Sequence, residues 1–212
     1  MKPAEHRPAQ PLLLHDFALS GHCHRVRLML SLLDLPYESI AVDLLAGEQR
    51  RPPFLALNPF GQVPVLQDGA LTLADSNAIL VYLAGRYGDE SWLPKEPARA
   101  AAVQRWLSVA AGEIAAGPGT ARAQVLFKTP GDRQQSIKRA ERLLTVMDGE
   151  LKPSPFLTGA TPTIADVAGY SYIAHAPEGG VSLEPYAHVR AWLARIEQLP
   201  GFVGMQRSQV AA

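Results

Sequence analysis

Asp68-Gly69 lies between two short apolar runs, VPVLQ (63–67) and ALTLA (70–74), and Asp75-Ser76 follows at once. Asp-Gly between such runs is the strongest short-range signal for a tight β-hairpin, because its turn needs residues that tolerate a positive φ. Asp75 and Ser76 then supply a helix start, and the helix is expected to run through Tyr87 with Gly88 as its stop. This β-β-α segment limits what the chain before it can be. PLLLHDF (11–17) reads as a buried strand, and residues 22–34 as a helix with Val26, Met29, Leu30 and Leu33 at helical spacing, ended by Pro36. Ile40, Val42 and Leu44 alternate with polar or small residues and predict a second strand. Strand, helix and strand at this spacing make a βαβ unit, whose parallel strands need a helical crossover. Between the two units, QRRPPFLALNPFGQ (49–62) holds Pro52, Pro53 and Pro59, which leaves room only for a short helix and irregular chain.

The second half is helical throughout. DESWLPKEP (89–97) reads as a linker ending in a proline at a helix start. Residues 98–116 predict an Ala-rich helix containing Trp106, interrupted by Gly117-Pro118-Gly119. Over 132–151, Ile137, Ala140, Leu143, Leu144, Met147 and Leu151 form an apolar stripe. Thr163-Ile-Ala-Asp166 is a capping-box variant ahead of an apolar helix, and residues 186–199 form the last one before Pro200-Gly201. The expected fold class is α/β followed by all-α: a flexible tail over 1–10, an α/β domain over 11–88, a linker over 89–97 and a helical domain over 98–212.

Charge excludes some functions. Lys and Arg number 20 against 20 Asp and Glu, and neither half carries the basic stripe that a phosphate backbone demands, so nucleic acid is not the expected partner. No apolar run approaches the ~20 residues of a membrane-spanning helix, and MKPAEHRPAQ lacks the apolar stretch of a signal peptide. A single cysteine, Cys23, rules out an internal disulfide framework and a cysteine-rich zinc site. His22 and His24 flank it, but one Cys between two His with no further clustered ligand does not make a metal site. The expectation is a neutral cytoplasmic protein without a metal.

Five places could carry chemistry. Ser20 falls at the start of the first helix: a plain N-cap, or a hydroxyl that stabilises a bound anion beside free backbone N–H groups. Pro64 at a strand entry is structurally ordinary, but a cis Val63-Pro64 bond would present the Val63 backbone to an extended peptide. Asp75 and Ser76 could be only a capping pair, yet together they suit the ammonium and carboxylate of an amino acid. Gln49, Arg50, Arg51 and Gln62 are solvated loop residues or contacts to a second carboxylate. Cys23 reads first as a packed small side chain, and second as a nucleophile or a site of mixed-disulfide formation.

Taken together, these residues resemble the glutathione transferase superfamily over nearly the whole chain. The most specific part is NPFGQVPVLQDGALTLADSNAILVYLA (58–84), similar to the family's segment from its cis-proline loop to its acidic-Ser helix start. Ser20 precedes Arg25-Val26 at the spacing of the serine-type classes, of the phi, theta and zeta kind, and Gly47-Glu-Gln-Arg50 before Phe54 resembles the loop that reaches the glycyl end of glutathione. The resemblance implies a thioredoxin-like N-terminal domain, a helical bundle after it, and glutathione as co-substrate. It implies that Ser20 donates to the glutathione thiolate and that Val63, before a cis Pro64, pairs with the cysteinyl unit. Asp75 and Ser76 would hold the γ-glutamyl head, with Gln49, Arg50 and Gln62 near the glycyl and γ-glutamyl ends. Asp75 stands where Glu is usual, and Gln49 where relatives often carry His.

The reaction so implied is conjugation of glutathione to small apolar electrophiles, with Phe17, Leu19 and Trp106 as candidate wall residues. Glutathione-dependent disulfide or peroxide reduction, isomerisation, and a non-catalytic binding protein are the alternatives. A two-fold homodimer is implied too, with Phe54 as a candidate knob in its interface.

Overall fold

The computed structural model describes residues 7–208. Most of the expected N-terminal tail therefore lies outside the described residues; within them, Arg7 pairs with Asp34 at the surface.

Leu12–Asp16 forms β1, whose alternate residues Leu12, Leu14 and Asp16 are buried. Helix α1 (Gly21–Leu32) crosses to β2 (Tyr37–Ala41), which pairs with β1 in parallel. After a 3₁₀ turn (Glu48–Arg50) and the single-turn α2 (Pro52–Leu55) come β3 (Val65–Asp68) and β4 (Leu71–Ala74). The sheet order is β2-β1-β3-β4, with β3 antiparallel to both neighbours. The Asp68-Gly69 hairpin is present, Gly69 taking φ 56° at its turn. Tyr82 and Tyr87 of α3 (Ser76–Tyr87) donate their hydroxyls to Asp68, tying that helix to the hairpin. The order of elements and the thioredoxin-like layout match the expectation.

The second strand sits earlier than its alternation suggests. Val42 extends the pairing by one bond to the Asp16 carbonyl, but Val42 and Leu44 then pack beside Phe54 and Val65 in a small separate cluster. The chain turns there because the Asp43 N–H donates to Glu48 Oε2 (2.7 Å) and the Ala46 N–H to Asp43 Oδ1 (2.9 Å). Local side-chain bonds outcompeted the ladder.

Helices α4 (Pro97–Val109), α5 (Thr120–Leu126), α6 (Arg133–Leu151), α7 (Ile164–Ala174) and α8 (Ala187–Glu197) build the second half. Gly117-Pro118-Gly119 does not interrupt the helix. Residues Ala110–Gly119 continue α4 as π-helix and run into α5. A proline has no N–H and collides with the carbonyl four residues back in an α-helix, whereas a wider turn accommodates it. The Thr120 N–H and hydroxyl both reach the Ala115 carbonyl across that turn. Gly117 is needed for packing: a Cβ there would come within 3.1 Å of the Ala140 nitrogen on α6.

Helix α7 is buried along almost its whole length and packs against α1, α3 and α4, so it joins the two halves. Its start is held by Asp166. One carboxylate oxygen accepts the Thr163 N–H (2.9 Å), and the other accepts the Leu157 N–H (2.9 Å) and the Trp192 indole N–H (2.8 Å). No helix of the described residues is long and apolar enough to cross a membrane.

Asp166→Ala strands two buried donors and removes half of the capping box, so it is expected to cost at least about 3 kcal/mol, read as a lower urea midpoint. Asp166→Asn keeps one acceptor and should fall between; midpoints equal to wild type in both would refute the role.

Candidate active site

Two helix N-termini, from α1 and α3, face a cleft of about 580 Å³ beside the β3 entry loop. Seven of the eight expected residues line it: Ser20, Gln49, Gln62, Val63, Pro64, Asp75 and Ser76. Arg50 does not. It ends the 3₁₀ turn on the exposed side, its N–H bonded to the Gly47 carbonyl.

Ser20 is the N-cap of α1, with extended φ/ψ of −80° and 121°. Its oxygen accepts the Cys23 N–H at 3.2 Å, and its hydroxyl proton has no acceptor among the described residues. The turn before it is held by a bond from the Ser20 N–H to the Phe17 carbonyl (2.9 Å). Arg122 of α5, almost fully buried, donates to the Leu19 carbonyl (2.8 Å) from the helical half. The loop that carries Ser20 is therefore fixed from both halves.

Val63-Pro64 is cis, and Val63 lies beyond the last β3–β1 pair, Val65 with His15. Its backbone groups are outside the ladder. Buried Asn58 holds this loop, donating to the Gln62 carbonyl (2.8 Å) and accepting the Phe60 N–H (3.1 Å). Gln49 brings a buried side-chain oxygen with no partner among the described residues. Gly61, at φ 60°, lets the loop approach Gln49, whose carbonyl would lie 2.9 Å from a Cβ there.

Asp75 takes a left-handed φ of 73°, a strained value for a residue with a side chain. One of its oxygens caps α3 through the Ala78 N–H (2.9 Å), which leaves the other facing outward. Ser76 is buried, and its hydroxyl oxygen accepts from Arg25 Nη1 at 3.2 Å. Arg25, fully buried, also donates to His22 Nδ1 at 3.0 Å. Burial, then the Arg25 charge, pushes the His22 imidazole down to about 3.

Among the polar groups that line or back the cleft, His22 and Asn58 on its wall and the buried Arg25 behind it are ones that sequence reasoning did not place there. Arg25 and Asn58 stood inside the quoted motifs, but nothing local marks their burial. His22 was seen only as a neighbour of Cys23. His24, its counterpart, points elsewhere, to the Ser171 hydroxyl (2.8 Å) and the Val203 carbonyl (2.9 Å), so the two histidines do not converge on a metal.

Cys23 is fully buried and outside the cleft wall. Burial, with the charge of Asp16, pushes its thiol up to about 12 and outweighs the helix start and the Ser20 contact. Trp106 belongs to the core, and Phe17 packs on Phe127 (6.1 Å between ring centres). Neither they nor Leu19 line the cleft. Phe54 is no interface knob either: it is buried against His15, Val42 and Val65.

A thioredoxin-like layer offering a serine, a cis-proline loop and an acidic-Ser helix start to one cleft, with a helical bundle behind it, defines a glutathione-handling class. Residues 14–91 match the glutathione S-transferase N-terminal domain family, and residues 130–195 the glutathione S-transferase C-terminal domain family. Glutathione S-transferase 3 of Zea mays is 34% identical over 206 residues, covering 91% of each chain. GstB of Escherichia coli K12 is 29% identical over 188 residues, covering 85% of this chain and 90% of its own. A crystal structure of glutathione S-transferase from Pseudomonas fluorescens superposes with a TM-score of 0.86 at 35% identity, covering 93% of this chain and all of that one. A Drosophila mojavensis glutathione transferase homolog with bound glutathione superposes at 0.80 and 30% identity, covering 90% of this chain and 89% of that one. The chain belongs to the glutathione S-transferase family and is an enzyme of that kind.

Cys23 in the native protein is expected to resist an aromatic disulfide reagent at mildly alkaline pH and to react fully once guanidinium unfolds the chain. Rapid stoichiometric labelling of native protein would revive the thiol-based reductase.

Proposed function

We propose that Ser20 holds the glutathione sulfur as a thiolate for attack on small hydrophobic electrophiles. The observation that carries this reading is the state of the Ser20 hydroxyl: its oxygen is engaged by the Cys23 N–H, its proton has no acceptor among the described residues, and the residue lines the cleft. A free thiol with a pKa near ~8.5 is only a few per cent ionised at neutral pH. Lowering it by about two units takes roughly 2.7 kcal/mol. One charge-assisted hydrogen bond at ~1.5–3 kcal/mol, with the positive end of α1, is of the required size.

In this reading the tripeptide lies across the sheet's end. Val63 pairs with the cysteinyl backbone, the Ser76 N–H receives the γ-glutamyl carboxylate, and the free oxygen of Asp75 takes the ammonium. Gln49 and Gln62 meet the glycyl end, with Arg50 a longer-range charge at the surface. Leu44 and Ala74 give the cleft an apolar side for the electrophile. Residues 11–88 act as the glutathione domain and 98–212 as the helical domain, joined by 89–97. A buried unpaired thiol and a thiol co-substrate suit a reducing compartment, which supports a cytoplasmic location for the reaction. A two-fold homodimer accompanies it, with Phe60, 85% exposed at the loop tip, taking the knob position expected of Phe54.

Ser20→Ala is expected to raise the bound thiol's pKa toward its free value and to lower kcat/KM at neutral pH at least tenfold, whereas Cys23→Ser keeps conjugation. Full activity in Ser20→Ala would sink the reading.

Phe60→Ser is expected to shift gel filtration from dimer to monomer. An elution volume identical to wild type would remove Phe60 from any interface.

A further inference from the structure

His22 is the second residue of α1 and stands between the two helix starts that frame the cleft. Its Nδ1 faces two groups: Arg25 Nη1 at 3.0 Å and Ser76 Oγ at 3.2 Å. A guanidinium carries only donors, so Nδ1 must be the bare, accepting nitrogen, and the ring proton is left on Nε2. The ring cannot turn over to exchange the two nitrogens without losing that bond. Tyr172 also meets it edge-on, with ring centres 5.2 Å apart, and Arg25 lies over the same tyrosine ring at 5.6 Å. Gly21 makes this packing possible: a Cβ there would sit 2.7 Å from the Tyr172 ring carbons. Nε2 has no protein acceptor among the described residues, and the imidazole lines the cleft two residues from Ser20.

We propose that His22, a neutral imidazole locked in its Nε2–H form by Arg25, donates a second hydrogen bond to the sulfur of bound glutathione. The proposal rests on the Ser20 reading and extends it. A thiolate has three lone pairs, and Ser20 has a single proton to offer, so the sulfur has capacity for another donor. The donor's charge state decides whether it helps. An imidazolium could pass its proton to the thiolate and quench it; a neutral ring holds its remaining proton far more tightly and stabilises the anion without neutralising it. Burial, together with the Arg25 charge, keeps the ring neutral, its pKa pushed down to about 3. Arg25 also polarises the imidazole from behind, which strengthens the Nε2–H as a donor in a site of low dielectric. The fully buried guanidinium thereby acts on the sulfur through His22 without touching it. No proton changes hands and no covalent bond forms. His22 lowers the bound thiol's pKa alongside Ser20.

The test compares the thiolate absorbance of the glutathione complex against pH in wild type, Ser20→Ala, His22→Phe and His22→Gln. His22→Phe keeps a flat ring without either nitrogen, and the expected result is a bound-thiol pKa about one unit higher with kcat down about tenfold at neutral pH and KM little changed. His22→Gln, whose amide can accept from Arg25 and donate to the cleft, is expected to recover most of the loss. If Ser20→Ala raises the bound pKa and His22→Phe does not, this inference falls and the Ser20 reading stands. If Ser20→Ala leaves it unmoved, the Ser20 reading falls. A measurement on the wild-type enzyme covers the case of variants that do not fold. With histidine labelled in both ring nitrogens, NMR should show His22 protonated at Nε2 only. Its Nε2–H resonance should shift more on adding glutathione than on adding S-methylglutathione, whose sulfur cannot be an anion. Equal shifts, or a proton on Nδ1, overturn the proposal.

Discussion

The first turn of α1 is the constraint on which the rest depends. A helix start presents N–H groups with no partner in the helix, and here their surroundings are almost fully specified. Ser20 caps one of them through the Cys23 N–H, and the Ser20 N–H closes the preceding turn on Phe17. Arg122 holds the Leu19 carbonyl from the other half of the molecule. Gly21 leaves room for Tyr172 to lie against the backbone. A shift of any one of these would move the Ser20 hydroxyl, and an anion site depends on donors that are already in place before the ligand arrives.

Holding that turn requires charges in the interior, and the molecule manages them in two ways. Arg122 is paired: its Nε meets Glu178 at 2.7 Å, and Glu178 also accepts from His175 and the Ser208 N–H. Burial alone would raise the Glu178 carboxyl, but the bonds from His175 and Arg122 outweigh it and hold it down to about 2. Arg25 has no such partner among the described residues. It is fully buried, its donors go to neutral acceptors on His22, Ser76 and Ala110, and burial pushes even this guanidinium down to about 10. A buried cation hydrogen-bonded only to neutral groups, with the Asp75 charge acting on it at longer range, is costly in itself, and its placement behind the cleft gives an anionic ligand a favourable field.

Much of the architecture was legible from short-range pattern. The Asp68-Gly69 turn, the N-caps at Ser20 and Asp75, the Thr163–Asp166 box and the α6 stripe each depend on residues within a few positions of one another. The failures share a different origin. Val42 and Leu44 alternate as a strand would, yet Asp43 and Glu48 turned the chain by bonding to the backbone. Pro118 reads as a break, yet a π turn absorbed it because α6 and Tyr172 offered a surface shaped for the two flanking glycines. Phe54 and Phe60 are both apolar and close together, and nothing local says which is buried.

By itself the sequence determined the element types, the hairpin, the helix starts and the family, because those follow from backbone preference and from side chains reaching their own neighbours. Tertiary structure alone decided the electrostatics of the cleft. His22 meets Ser76 across 54 positions, and Arg122 meets Leu19 across 103. Whether Cys23 is reactive, whether Arg25 is solvated and which nitrogen of His22 carries the proton depend on what surrounds each group in space. Desolvation and hydrogen bonding are properties of that surrounding, which chain position does not encode locally.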